Sequence, residues 1–159
     1  MRSLLLACIL GILFLGCDGS RVYEQNVDFE ERYWLIGEKP EFEFDIDKPA
    51  DKYTVYGNVR NTVSYPYARI FFTYYLLDST GAELEKKLVG QHLFDSKTGK
   101  PFGTSGLGDI YDHRFELLKK YQFKYRGTYK MRFEQLMRVD TLQGILAVGL
   151  RVENTSIPQ

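Results

Sequence analysis

Along much of this chain, apolar and polar residues alternate one for one. Phe42, Phe44 and Ile46 are interleaved with Glu41, Glu43, Asp45 and Asp47. Tyr53, Val55 and Val59 oppose Thr54, Tyr56, Asn58 and Arg60, while Tyr129, Met131 and Phe133 oppose Lys130, Arg132 and Glu134. Later still, Leu146, Val148, Leu150 and Val152 fall on one face. A period of two sends every second side chain to the same side of a pleated ribbon. Each segment therefore reads as a strand with one buried and one wet face.

Between these segments stand turn signals. Lys48-Pro49-Ala50-Asp51 and Asp78-Ser79-Thr80-Gly81 punctuate the chain, the second as a hairpin connection. The run from Tyr67 (YARIFFTYYLL) is apolar on both faces, as in a central strand covered on each side. Residues 83–95 (ELEKKLVGQHLFD) read as a strand, with a helix competing over 83–89 because Glu, Leu and Lys favour helices. The pattern of YDHRFELLKKYQF does not decide between strand and short helix, and residues 95–109 form a long Gly-rich loop. The 12 Tyr and 11 Phe fit pleated, half-buried surfaces. Seven or eight short strands without a long helix predict an all-β fold, an antiparallel, jelly-roll-like β-sandwich.

The N-terminus carries a different signal. Arg2 precedes twelve apolar residues, Leu4 to Leu15, and then Gly16-Cys17. This is the layout of a bacterial export signal whose cleavage leaves a cysteine first, the sulfur being the nucleophile that accepts a diacylglyceryl group. A plain secretory signal or a short uncleaved anchor are the alternatives. Twelve helical residues reach only about 18 Å, short of a hydrocarbon core of roughly 30 Å. The expected organisation is a lipoprotein signal at 1–16, lipidated Cys17 with a polar tether over 17–33, and one sandwich domain over 34–156. Cys8 would leave with the signal, so the mature body has no disulfide to rely on.

Lys+Arg and Asp+Glu both number 21. That balance argues against a nucleic-acid surface and against polybasic attraction to a membrane. Candidate chemistry is sparse. Gly103 to Asp109 resembles a phosphate loop only in its glycines, lacking the Lys-Ser/Thr and the βαβ setting. Asp109, Asp112 and His113 offer metal ligands without a full set. Asp45 and Asp47 share a strand face, yet a glycosidase pair must flank a cleft. Neither His92 nor His113 has a nucleophile motif beside it. No catalytic, cofactor or metal site is assigned, and Cys17 is the one functional position. Arg60, Arg138 and Arg151 read as Arg–acid pairs, Glu134 lying close to Arg138 in sequence, or as a partner patch. Tyr65-Pro66-Tyr67 reads as a rigid turn whose tyrosines alternatively stack on sugars or meet a partner.

The ordered set of motifs resembles the GldH family of gliding-motility lipoproteins. It comprises the signal ending at Cys17, Val22-Tyr23-Glu24, Trp34, Phe42-Glu43-Phe44, Arg60-Asn61 and Tyr65-Pro66-Tyr67. It continues with Gly106 to Asp109, Gly127-Thr128-Tyr129, Phe133 to Arg138 and Gly144 to Arg151. The chain departs from the family pattern over Leu77 to Asp95, and at Leu136 where Ala is expected. The resemblance implies a non-enzymatic envelope lipoprotein that supports gliding beside other Gld lipoproteins and the type IX secretion machinery. It brings no catalytic residues; only Cys17 carries over. The expected place is the cell envelope, on the periplasmic face of the outer membrane rather than the inner membrane. The alternative from a different class is a carbohydrate-binding surface module.

Overall fold

The alternating segments pair edge to edge into eleven strands among the described residues. The computed structural model describes residues 19–156, and no helix occurs among them. The strands are β1 (Arg21–Asp28), β2 (Tyr33–Leu35), β3 (Glu41–Ile46), β4 (Tyr53–Thr62), β5 (Arg69–Leu77) and β6 (Glu83–His92). They continue with β7 (Thr104–Ser105), β8 (Ile110–Tyr121), β9 (Gly127–Gln135), β10 (Thr141–Gln143) and β11 (Ile145–Asn154). One sheet runs β1-β11-β4-β8-β7, the other β3-β9-β5-β6, and β10 pairs with β2 as a small ribbon. Every pairing is antiparallel.

The pairings nest. β5 pairs with β6, β4 with β8, β3 with β9 and β1 with β11. The chain is thus one long hairpin, bent at residues 78–82 and rolled up so that β11–β4 and β9–β5 contacts close two sheets. That is the jelly-roll arrangement expected from the sequence. At the bend, Asp78 Oδ1 accepts hydrogen bonds from the amides of Thr80 and Ala82, both at 2.9 Å. Gly81 supplies a φ of 84° there.

The alternation is reproduced where it was clearest: β3 is buried at every second residue, Phe42, Phe44 and Ile46. One segment differs from expectation, and two where a helix competed are strands. Residues 21–28 are not tether but strand β1, held along β11 from Arg21 to Asp28. The strand sits at a sheet edge, where only Tyr23 and Val27 are partly buried, so main-chain bonding carries it and the apolar period is faint. β6 is a strand despite helix-forming residues, because pairing with β5 overrides local propensity. β8 is also a strand, and its register against β4 slips between Val55 and Tyr56. That bulge turns both Leu117 and Leu118 inward, which breaks the period and explains the undecided sequence.

β5 is central in its sheet, but among the described residues no third layer covers its outer side. Tyr75 is instead flanked by Lys86 at 4.9 Å and Arg132 at 4.6 Å, cations over its ring face. Between the sheets the core is aromatic. Phe123 plugs one end, with Tyr53, Phe44, Tyr121 and Tyr129 rings 4.6–5.9 Å away. Trp34 plugs the other, stacked on Phe29 at 5.7 Å and against Phe72 at 6.5 Å. The Phe123 end, where β1 begins and β11 finishes, is termed the near end. The Trp34 end is the far end.

Candidate functional site

The two ends differ in construction. Near-end loops are short, spanning 47–52, 78–82 and 122–126. Far-end connections are longer, covering 29–40, 63–68, 93–109 and 136–144. Of the ten large apolar residues exposed among those described, seven lie on this far end: Leu35, Ile36, Val63, Tyr67, Phe102, Leu107 and Leu136. Loops on a rigid scaffold are where binding surfaces concentrate, and contiguous exposed apolar surface marks interaction sites.

A groove of about 450 Å³ opens beside these loops, lined by Tyr67, Phe71, Leu88, Leu136, Met137 and Arg138. The segment Phe133 to Arg138 builds it. Buried Gln135 pins the turn from inside, donating to Val139 O at 2.8 Å and accepting from the Met137 amide at 2.9 Å. The Leu136 amide donates to Phe71 O at 2.8 Å, and Met137 Sδ accepts from the Phe71 amide at 3.1 Å. With those two residues spent on β5, Leu136 and Arg138 turn outward, Arg138 at a φ of 58°. On the facing turn, Tyr65 is buried and donates to Arg69 O at 2.9 Å, while Tyr67 stands half-exposed against its ring. Burial pushes the Tyr65 hydroxyl pKa well up.

The three arginines separate. Arg60 pairs with Asp112 at 2.7 Å, and Arg151 with Glu24 at 2.8 Å and with Glu153. Both belong to the outer face of the five-stranded sheet, around a polar basin of about 460 Å³. Asn26, in its lining, lies over side-chain-free Gly149, where any Cβ would collide with its Oδ1. Burial pushes the Glu24 carboxyl up, but hydrogen bonds from Arg21 and Arg151 and the charge of Arg114 outweigh it, leaving the pKa lowered. Arg138 does not meet Glu134, contrary to the sequence expectation. Glu134 faces Lys39 at 3.0 Å, Arg132 at 3.5 Å and the Tyr75 hydroxyl at 3.0 Å. The turn after Gln135 carries Arg138 to another surface. The sequence named Tyr67 and Arg138 but gave no sign that they share a groove with Leu88, twenty-one residues away from Tyr67.

The remaining candidates disperse. Consecutive positions on β8 put Asp112 and His113 on opposite faces, and no group of three His, Cys, Asp or Glu side chains converges among the described residues. Asp45 accepts from Thr128 at 2.6 Å and Asp47 pairs with Arg126 at 2.9 Å, with no cleft between them. The Gly-rich segment has a packing role: a Cβ on Gly103 would lie 2.6 Å from Asp112 O and 2.8 Å from the His113 ring. Cys17 lies outside the described residues.

His113 is buried beneath that glycine, and its Nε2 has no hydrogen-bond partner among the described residues. Burial lowers its pKa below 6.5, with Asp112 opposing. The unfolded chain therefore binds a proton that the folded chain resists, so stability is full above the unfolded value and falls as pH drops below about 6.5. Denaturant midpoints measured from pH 7.5 to 5.5 are expected to decline in the native protein and to stay nearly level in His113→Phe. Equal slopes in both would remove His113 as the cause.

Comparison with known proteins follows the same outline. A family model described as GldH lipoprotein matches residues 21–152. A protein named "Gliding motility lipoprotein GldH homolog" from Christiangramia forsetii is 27% identical over 151 residues, covering 91% of this chain and 90% of its own. "Gliding motility lipoprotein GldH" from Flavobacterium johnsoniae is 27% identical over 155 residues, covering 91% and 92%. Among solved structures, an infectious bursal disease virus chain (Gx strain) reaches a TM-score of 0.43 at 17% identity, covering 87% of this chain and 34% of that one. That likeness is too loose to argue from. The match over 21–152 spans β1 to the body of β11, the whole rolled hairpin, and on it the chain belongs to the GldH lipoprotein family.

Proposed function

We propose that this chain is a non-catalytic gliding-motility lipoprotein of the cell envelope, anchored by acyl chains at Cys17 and working through protein contacts. Its expected neighbours are other gliding lipoproteins and the type IX secretion machinery. The observation that carries the contact role is the concentration of exposed apolar side chains on the far-end loops, beside a groove rimmed by Arg138. Aromatic side chains and Arg are enriched where proteins dock. Anchoring restricts the domain to a membrane and raises its effective concentration near such partners. Family membership supports the lipoprotein and motility parts of the reading.

The test is genetic and local. Deleting the gene in a gliding host is expected to abolish spreading and to impair export of surface proteins. Complementation with a Tyr67→Asp/Leu136→Asp double variant is expected to leave the folded, lipidated protein at normal abundance while spreading remains lost. Leu136 is exposed and Tyr67 gives up one edge contact with Tyr65, so stability should change by no more than about 0.5 kcal/mol for the first and about 1.5 kcal/mol for the second. Full rescue by that variant would remove the far end from the function.

The carbohydrate-module alternative draws less support. Trp34 and about half of the aromatics are core residues, and the exposed Tyr67, Phe102 and Tyr125 each meet a different ring, Tyr65, His92 and Tyr129, with Tyr125 at the opposite end.

A further inference from the structure

We propose that the near end of the sandwich rests directly on the lipid headgroups, so that the body stands end-on to its membrane with the far-end groove turned away. This rests on the reading of Cys17 as the acylated residue and adds an orientation to it. The sequence places one residue between Cys17 and Gly19. Two Cα steps reach at most about 7.6 Å. From there the chain is already part of the fold. Ser20 is buried, its carbonyl accepts the Asn154 amide at 2.8 Å, and Arg21 lies opposite Glu153 in the sheet. A 17-residue tether would have let the domain tumble; β1 removes it. The acyl chains are therefore fixed at one end of a body whose ten-residue strand β11 runs about 33 Å to the other.

The chemistry of that end fits a phosphate-bearing surface. Lys48, Lys52, Lys120 and Lys124 are exposed there, and none has a carboxylate partner among the described residues. The acids around them, Glu83 aside, are held in local hydrogen bonds or an ion pair while keeping their charge. Asp47 is paired with Arg126, Asp51 accepts from Asn154 Nδ2 at 2.7 Å, and Asp78 caps its own turn. The ammonium groups are left facing outward although the whole chain is neutral. Tyr125 is the one large apolar side chain exposed on the near-end loops among the described residues, so this face suits contact with headgroups rather than insertion into the acyl layer.

The experiment uses the mature lipidated protein in vesicles of phosphatidylethanolamine and phosphatidylglycerol. The sulfur of Cys17, the sole cysteine after signal removal, is tied up as the diacylglyceryl thioether, so a single added thiol can carry a fluorophore. Ser79→Cys marks the near end and Leu107→Cys the far end. A quencher carried on lipid headgroups is expected to quench the Ser79 position several-fold more than the Leu107 position. Inserting a long Gly/Ser spacer after Asp18 should erase that difference. Equal quenching at both sites in the native-length protein, or stronger quenching at 107, would overturn the orientation. A quadruple change of Lys48, Lys52, Lys120 and Lys124 to Glu should weaken near-end quenching; no change would remove the lysines from the contact. Failure of the protein to join vesicles at all would instead count against acylation at Cys17, a separate result.

Discussion

Trp34→Ala is expected to lower the free energy of unfolding by about 3–5 kcal/mol, the range for deleting a fully buried large aromatic. Trp34 has no exposed surface, stacks on Phe29 and donates its indole N–H to Glu38 O at 2.9 Å. Its strand, β2, pairs only with three-residue β10, so this side chain, with buried Leu142 of β10, fastens the far-end ribbon to the sandwich. For a domain of this size the melting temperature should fall by about 10 °C or more. Hydrogen exchange should accelerate first in residues 29–40 and 136–144, while β4 and β11 stay protected. Trp34→Phe keeps the ring contact but loses the donor, and should fall between the two. A loss below about 1 kcal/mol, well under the range for burying such a ring, would show that the far end is held by something else.

Legibility of the fold followed exposure. β3 and β9 each have one face in the core and a more open opposite face, and their alternation was plain; β11 is buried along both faces, and its alternation survives in residue type because Arg151 and Glu153 meet partners on the side away from the core. Where a bulge shifts the phase, as at Leu117-Leu118, the pattern cannot be read without the partner strand. Where an edge strand buries little, as β1 does, main-chain hydrogen bonds leave no trace in side-chain type beyond Tyr23 and Val27. The run at β5 was apolar on both faces, but the second face is shielded by Phe71, Met137 and the cations around Tyr75 rather than by another layer.

The surface was less legible for the same reason. Arg60 and Arg151 were read as paired, and they are, though apart from Glu153 beside Arg151 their acids come from strands distant in sequence: Asp112, fifty-two residues after Arg60, and Glu24, 127 before Arg151. Leu136 stood out only as a departure from the family pattern, and its exposure depends on Gln135 and Met137 holding the turn. A groove assembled from β5, β6 and two loops is a product of the roll, and no local spacing announces it.

Cys17→Ser is expected to abolish palmitate labelling and to lower the ratio of membrane-bound to soluble protein by a hundredfold or more, in line with the roughly 0.8 kcal/mol that each buried methylene contributes. Serine keeps the size of the side chain but lacks the nucleophilic sulfur that, on the proposed anchoring, would accept the diacylglyceryl group. Signal residues retained through failed processing would still be too short to span, so a carbonate wash should release the variant where only detergent releases the native protein. The sandwich itself carries no cysteine, and its melting temperature should not change. Spreading is expected to fail as fully as in the deletion, even with abundant folded protein, because end-on presentation of the groove depends on the anchor. The two kinds of variant then separate the two demands: Tyr67→Asp/Leu136→Asp stays on the membrane and cannot dock, whereas Cys17→Ser keeps an intact groove with nothing to hold it in place. Normal spreading by the unlabelled, soluble serine variant would mean that the domain finds its partners without a membrane, and that confinement is no part of how it works.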